Sequence, residues 1–280
     1  LSSRITINNC LITQNTTNGG NPSVHESYII MGYGGDSYGG GIYSTNSSLV
    51  ISDSIIDKNR SSGGNVDSPA GSSGGDSSGG GIDCDTTSTS LINCILSRNT
   101  STGGNVVNDQ SRGGSVYGGG IRSNNLVSIS NCTIGSNNVQ KGISPNNTGV
   151  ELGGGIYGDY ATIINTILWN NRPNQIDGTT TLTQPLYCDI QDWISGGVGN
   201  ISLDPQFVDS VNGDYHLRPY SPCIDAGMRI ENLLTDIEGN ARGIKGVLEQ
   251  RGDGSNYDIG AYEFIMRRNA VDSKAWEMYE

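Results

Sequence analysis

The chain has 280 residues and a formal net charge of −12, with no run of Lys or Arg, which argues against nucleic acid or an anionic membrane as a partner. No stretch of 18 or more residues is continuously apolar, so no segment reads as a membrane-spanning helix. Glycine supplies 42 residues and only 34% of the chain is hydrophobic, a composition that would fit disorder in a sequence without periodicity.

Periodicity is present from the first residues. The block ITINNCLITQN (5–15) returns as VISDSIIDKN (50–59), LINCILSRN (91–99), ISNCTIGSNN (129–138) and INTILWNN (164–171). Ahead of the last four stands GGGI, at 39–42, 79–82, 118–121 and 153–156, a repeat of about 35–40 residues that marks a stacked architecture. Aligned on Cys10, Ser54, Cys94, Cys132 and Thr166, the position three before holds Ile7, Ile51, Leu91, Ile129 and Ile163. Five before stand Ile5, Leu49, Thr89, Val127 and Ala161, and two after stand Ile12, Ile56, Leu96, Ile134 and Leu168. Apolar residues at period two predict strands with one buried face.

Turn residues fall between these strands. One before the alignment column are Asn9, Asp53, Asn93, Asn131 and Asn165; five after it are Asn15, Asn59, Asn99, Asn137 and Asn171. Asn and Asp tolerate the left-handed conformation of a sharp corner, and stacked amides can hydrogen-bond from coil to coil. The Gly/Ser/Asn runs after Asn15, Asn59, Asn99 and Asn137 read as loops leaving one corner and lining one flank, where repeat proteins commonly bind. Seven N-x-S/T sequons, at Asn15, Asn46, Asn59, Asn99, Asn131, Asn146 and Asn200, carry no weight in a chain so rich in Asn, Ser and Thr. The expected fold is all-β: a parallel β-helix solenoid of about five coils over 1–181, with a C-terminal cap region at 182–264. Because the chain enters within a coil, further coils or a cap are expected upstream. The tail at 265–280, with a possible N-cap at Asp272 or Ser273, reads as a short helix or a docking arm.

The C-terminal stretches SLDPQFVDSVNGDYHLRPYSPCIDAG (202–227) and DIGAYEF (258–264) resemble bacterial surface β-helix proteins of the choice-of-anchor Q type. The GGGI and INC repeats are similar to those of polymorphic outer-membrane proteins. This resemblance implies a right-handed parallel β-helix, exported to the cell surface or the extracellular space and often tethered by a downstream anchor.

Candidate sites are few. Cys188 and Cys223, outside the repeat columns, are expected to form a disulfide; Cys94 and Cys132, in one column, are expected to be free thiols that fill space. Asp83 and Asp85 follow a GGGI strand and, at period two, face the same way. They are candidate catalytic carboxylates beside Arg122, weighed against solvated surface acids. The matching positions of other coils are Tyr43 and Thr45, Arg122 and Asn124, and Tyr157 and Asp159, so no acidic groove runs from coil to coil. Tyr43, Arg122 and Tyr157 instead suit a shallow sugar-binding surface. No cofactor is expected, although Ca²⁺ is possible at DGSNYD (253–258), through Asp253 and Asp258, or at DIEGN (236–240). His25 and His216 lack a catalytic partner in sequence, and the tripeptide 251–253 spells an integrin motif by chance. The expected function is a non-enzymatic adhesive or structural surface protein, self-associating or binding extracellular glycans. The alternatives are a β-helix polysaccharide lyase or glycoside hydrolase, or a glycan-binding module of a larger enzyme.

Overall fold

The computed structural model describes residues 3–22, 32–67, 73–85, 88–107, 111–158, 161–178 and 184–266. Within them the secondary structure is all β, and the sheets are parallel apart from one two-stranded antiparallel pair, Phe207–Asp209 with Asp214–Leu217. No helix among the described residues is long and apolar enough to cross a membrane.

The apolar columns become sheets in the expected register. Ser3–Asn8, Ser47–Ser52, Ser88–Ile92, Val127–Ser130 and Ala161–Ile164 form a five-stranded sheet in which Ile7, Ile51, Leu91, Ile129 and Ile163 align. A six-stranded sheet aligns Ile12, Ile56, Leu96, Ile134 and Leu168, and then adds Asp189–Ile190. That sheet therefore runs on past residue 181 into the C-terminal region. The four GGGI strands and Ile176–Asp177 form another five-stranded sheet, with Ile42, Ile82, Ile121, Ile156 and Ile176 in line. The three sheets face one shared core of Ile, Leu, Val and Cys side chains. Parallel sheets stacked in this way, each strand repeating one turn of chain later, are consistent with a parallel β-helix.

The two Asn columns do different work. Asn9, Asp53, Asn93, Asn131 and Asn165 adopt the left-handed conformation, with φ between 48° and 51°. In the second column the left-handed residue is instead the preceding one: Gln14, Lys58, Arg98, Ser136 and Asn170. That frees Asn15, Asn59, Asn99, Asn137 and Asn171 to build a ladder in which each Nδ2 donates to the next Oδ1 at 2.9–3.0 Å, closed by Gln175 Oε1. The sequons at Asn59, Asn99 and Asn131 are buried column positions, so their recurrence is a product of the repeat.

The Gly-rich runs are not free loops at their bases. Gly35, Gly64, Gly75, Gly104, Gly114 and Gly142 hydrogen-bond to one another in a single chain of amide-to-carbonyl contacts, alternating between the two stems of each run. Beside them Asn65 N donates to Asn21 Oδ1 and Asn105 N to Asn65 Oδ1, both at 2.8 Å, so a further Asn column stacks there. Only the tips, at 23–31, 68–72 and 108–110, lie outside the described residues, and His25 with them. A Cβ at Gly104 would stand 1.9 Å from the Gly64 carbonyl oxygen, whereas one at Gly20 meets nothing within 4 Å. Gly104→Ala is expected to lower stability by about 1–3 kcal/mol in denaturant titration, and Gly20→Ala to leave it within ~0.5 kcal/mol. Equal effects of the two substitutions would mean the stems are not packed against each other.

Candidate functional site

The GGGI corner sets two residues side by side. The first glycine of each triplet is left-handed (φ 56–69° at Gly39, Gly79, Gly118 and Gly153), and the chain folds back so that the residue before GGG lies beside the one after GGGI. Two columns result. One holds Tyr43, Asp83, Arg122, Tyr157 and Asp177 in register; the other holds Tyr38, Ser78, Tyr117 and Leu152. Tyr38 packs on Tyr43 at one end, with ring centroids 5.6 Å apart, and Tyr117 packs on Tyr157 at the other, 5.0 Å apart.

Asp83 lies between the two pairs. It is fully buried although its chain neighbours Ile82 and Cys84 point to the opposite, core side of the strand. Arg122 Nη1 donates to Asp83 Oδ1 at 3.0 Å, and Ser78 Oγ donates to Oδ2. Burial raises the Asp83 carboxyl above its usual range, while Arg122 and the Ser78 hydroxyl pull it back down. Asp83 is thus neither a solvated surface acid nor an accessible one. Asp85 is exposed at the strand end beside Thr45, and the structure places no basic partner on it among the described residues. Tyr43 is 52% exposed and Tyr38 43%; burial, then the nearby Asp36 carboxylate, raises the Tyr38 hydroxyl. Asp159 lies outside the described residues.

The expected Cys188–Cys223 disulfide is not formed; both are free, buried thiols. Cys188 continues the alignment column, accepting from Thr166 N at 3.5 Å as Cys132 accepts from Cys94 N at 3.3 Å, and it faces the main core. Its neighbour Asp189 points to the other face, as strand alternation requires, and there Asp189 Oδ2 accepts from Cys223 Sγ at 3.1 Å. The two sulfurs lie on opposite faces of one strand, and their surroundings are separate clusters.

Burial lifts the Asp189 carboxyl to about 7, against the lowering effect of the Cys223 S–H and Leu203 N–H contacts. The unfolded chain titrates this group near ~4, so between ~4 and ~7 the folded chain holds the extra proton. Its stabilisation is complete below that window and is lost as pH rises through 7. Asp189→Asn, which stays neutral, is expected to melt about 5 °C above the parent at pH 8, the shift ~2 kcal/mol gives in a chain of this size, and level with it at pH 4. A constant gap at both pH values would rule out titration of Asp189 as the cause.

The Ca²⁺ candidates face different partners. Asp258 is buried and accepts from the backbone amides of Asp225 and Phe264, whereas Asp253 accepts from Arg229 and Ser255. In DIEGN, Asp236 accepts from the amides of Glu238, Asn240 and Glu263. Among the described residues no group of three or more His, Cys, Asp or Glu side chains is placed to hold a metal ion. Arg251 of the integrin-like tripeptide donates to the Ser221 carbonyl, a contact internal to the fold. His216 stacks on Tyr262 between the carboxylates of Asp214 and Glu238.

What sequence reasoning missed is the second column, Tyr38, Ser78 and Tyr117. Its signal was present, since each of these residues directly precedes a GGG triplet. Compared with protein-family models, curated proteins and solved structures, the chain matches none of them.

Proposed function

We propose that the chain is an exported, non-catalytic surface or matrix protein, adhesive or structural, built as a right-handed parallel β-helix of about five coils with a C-terminal cap region at 182–264. The observation that carries this reading is the state of Asp83. A general acid or base must come within hydrogen-bonding reach of a substrate proton, and Asp83 is fully buried with both oxygens engaged by Arg122 and Ser78. Asp85, the exposed acid of the pair, is in register with Thr45, and the basic residue of the other neighbouring strand, Arg122, is in register with Asp83. The exposed rings of Tyr38 and Tyr43 favour contact with extracellular glycans at this strip, since aromatic faces take the apolar face of a sugar.

The discriminating experiment incubates the protein with acidic and neutral polysaccharides, with and without Ca²⁺, and follows new reducing ends and unsaturated products. Binding without turnover is the expected result, weakened by Tyr43→Ala. Turnover of any one glycan, lost in Asp85→Asn, would establish the lyase or hydrolase reading in its place.

A further inference from the structure

A groove that shares no residue with the tyrosine strip crosses the C-terminal region. Its first part, about 370 Å³, is lined by Trp169, Asn170, Asp204, Gln206 and Arg218 among others. Its second part, about 610 Å³, shares Asp204 and Gln206 and continues to Tyr220 and Arg251. Both volumes fall in the range of small-molecule sites.

The walls are fixed before any ligand arrives. Arg218 Nε and Nη2 donate to the carbonyls of Phe207 and Val208, and Arg218 N donates to the Gln206 carbonyl. Ser221 Oγ donates to the Pro205 carbonyl at 2.7 Å, tying the two rims of the second part together. Three non-glycine lining residues are left-handed, Asn170 at φ 58°, Gln206 at φ 54° and Tyr220 at φ 78°. Tyr220 is 86% exposed, a large ring held in water by a backbone conformation that ordinary residues seldom adopt.

Between the rings, polar capacity is left over. Asp204 Oδ1 accepts from Gln206 N, but Oδ2 has no hydrogen-bond partner among the described residues, and neither does the Gln206 carboxamide. Together they offer acceptors and two N–H donors at the junction of the two parts. An apolar peptide laid here would strip water from these groups and return no hydrogen bond. An acidic sugar would meet the Asp204 carboxylate, while the two guanidinium groups of the lining, Arg218 and Arg251, are already turned to the carbonyls of Phe207, Val208 and Ser221. A neutral sugar satisfies both demands, with its C–H face on a ring and its hydroxyls on amide and carboxylate.

We propose that this groove binds a short neutral oligosaccharide, with Trp169 and Tyr220 as ring platforms and Asp204 and Gln206 as the hydroxyl-reading pair. The site is independent of the tyrosine strip.

The test titrates the full chain with cello-, xylo-, manno- and malto-hexaose and with oligogalacturonate, by calorimetry and tryptophan fluorescence. At least one neutral hexasaccharide is expected to bind saturably. Gln206→Ala and Tyr220→Ala, both outside the core and checked by melting curves, should each weaken it about tenfold, the loss of one good contact, while Tyr43→Ala leaves it unchanged. The proposal fails if no neutral hexasaccharide saturates or if oligogalacturonate alone binds. It also fails if Tyr43→Ala removes binding that the groove variants keep, an outcome that would leave the strip reading standing. Concentration-dependent self-association lost in Tyr220→Ala, with no sugar binding, would assign the groove to a second copy of the chain.

Discussion

Arg242→Met is expected to release the C-terminal region from the stacked parallel sheets at a cost of about 3–5 kcal/mol, the scale of a buried ion pair broken on one side. Arg242 and Glu263 form a pair at 3.5 Å with both side chains 0% exposed. Arg242 Nη2 also donates to the carbonyls of Gly260 and Ala261 and to Asn93 Oδ1, so one guanidinium joins the C-terminal loops to a corner of the repeat. Glu263 in turn holds the amides of Gly243, Ile244 and Asp258. Burial already raises the Glu263 carboxyl, and Arg242, followed by the amides of Asp258, Ile244 and Gly243, lowers it. Without Arg242 the carboxyl must take a proton to stay buried, so the defect should shrink as pH falls. Denaturant titrations at pH 5 and pH 8 check this, and Arg242→Met with Glu263→Gln should recover part of the loss. A single variant as stable as its parent at pH 8 would show that the region is held by other contacts.

The repeat was legible because every coil meets the same physical demand at the same place. A residue facing the core must be apolar and a corner residue must tolerate positive φ, and in a parallel stack each demand recurs directly above itself. Ile51, Leu91, Ile129 and Ile163 could therefore be aligned by eye, and they pair in that register. The C-terminal region has no such recurrence. Asp225, Asp236, Asp258 and Glu263 are each buried to receive backbone amides of irregular loops, and each amide set is unlike the others. Cys188 was misassigned for a related reason. LYCDIQD lacks the Asn or Asp that marks the other copies before the column, so its thiol read as lying outside the stack when it continues it.

The site was legible by half. Tyr43, Asp83, Arg122 and Tyr157 could be placed in one column from the GGGI spacing alone. The burial of Asp83 could not, because it depends on Ser78 and the Tyr38 and Tyr117 column, reached across a glycine corner whose geometry rests on positive φ at Gly79. The groove between Trp169 and Tyr220 had no sequence signal at all, since its lining is gathered from segments without periodicity.

The Asn ladder predicts the steepest positional dependence within the repeat. Asn99 is fully buried, and its Oδ1 accepts from both Asn59 N at 2.9 Å and Asn59 Nδ2 at 3.0 Å. Its Nδ2 donates to the Ile56 carbonyl and to Asn137 Oδ1. Asn99→Leu removes all four bonds and leaves the Asn59 amide and the Ile56 carbonyl buried without them, at about 1–3 kcal/mol each, for an expected loss of about 4 kcal/mol. Asn15 is exposed and its side-chain amide donates to Asn59 Oδ1, the one side-chain hydrogen bond it makes among the described residues, so Asn15→Leu should cost ~1 kcal/mol. Asn99→Asp separates hydrogen bonding from packing. Its carboxylate still accepts from Asn59 but donates to nothing and faces the Ile56 carbonyl and Asn137 Oδ1 with a buried charge. Burial would raise that carboxyl, so the protonated form, which restores one donor, is favoured in the folded chain. Stability of Asn99→Asp should then fall as pH rises from 4 to 8, while Asn99→Leu stays level across the same range. If both variants tracked the parent at every pH, the stacked amides would contribute nothing beyond their volume.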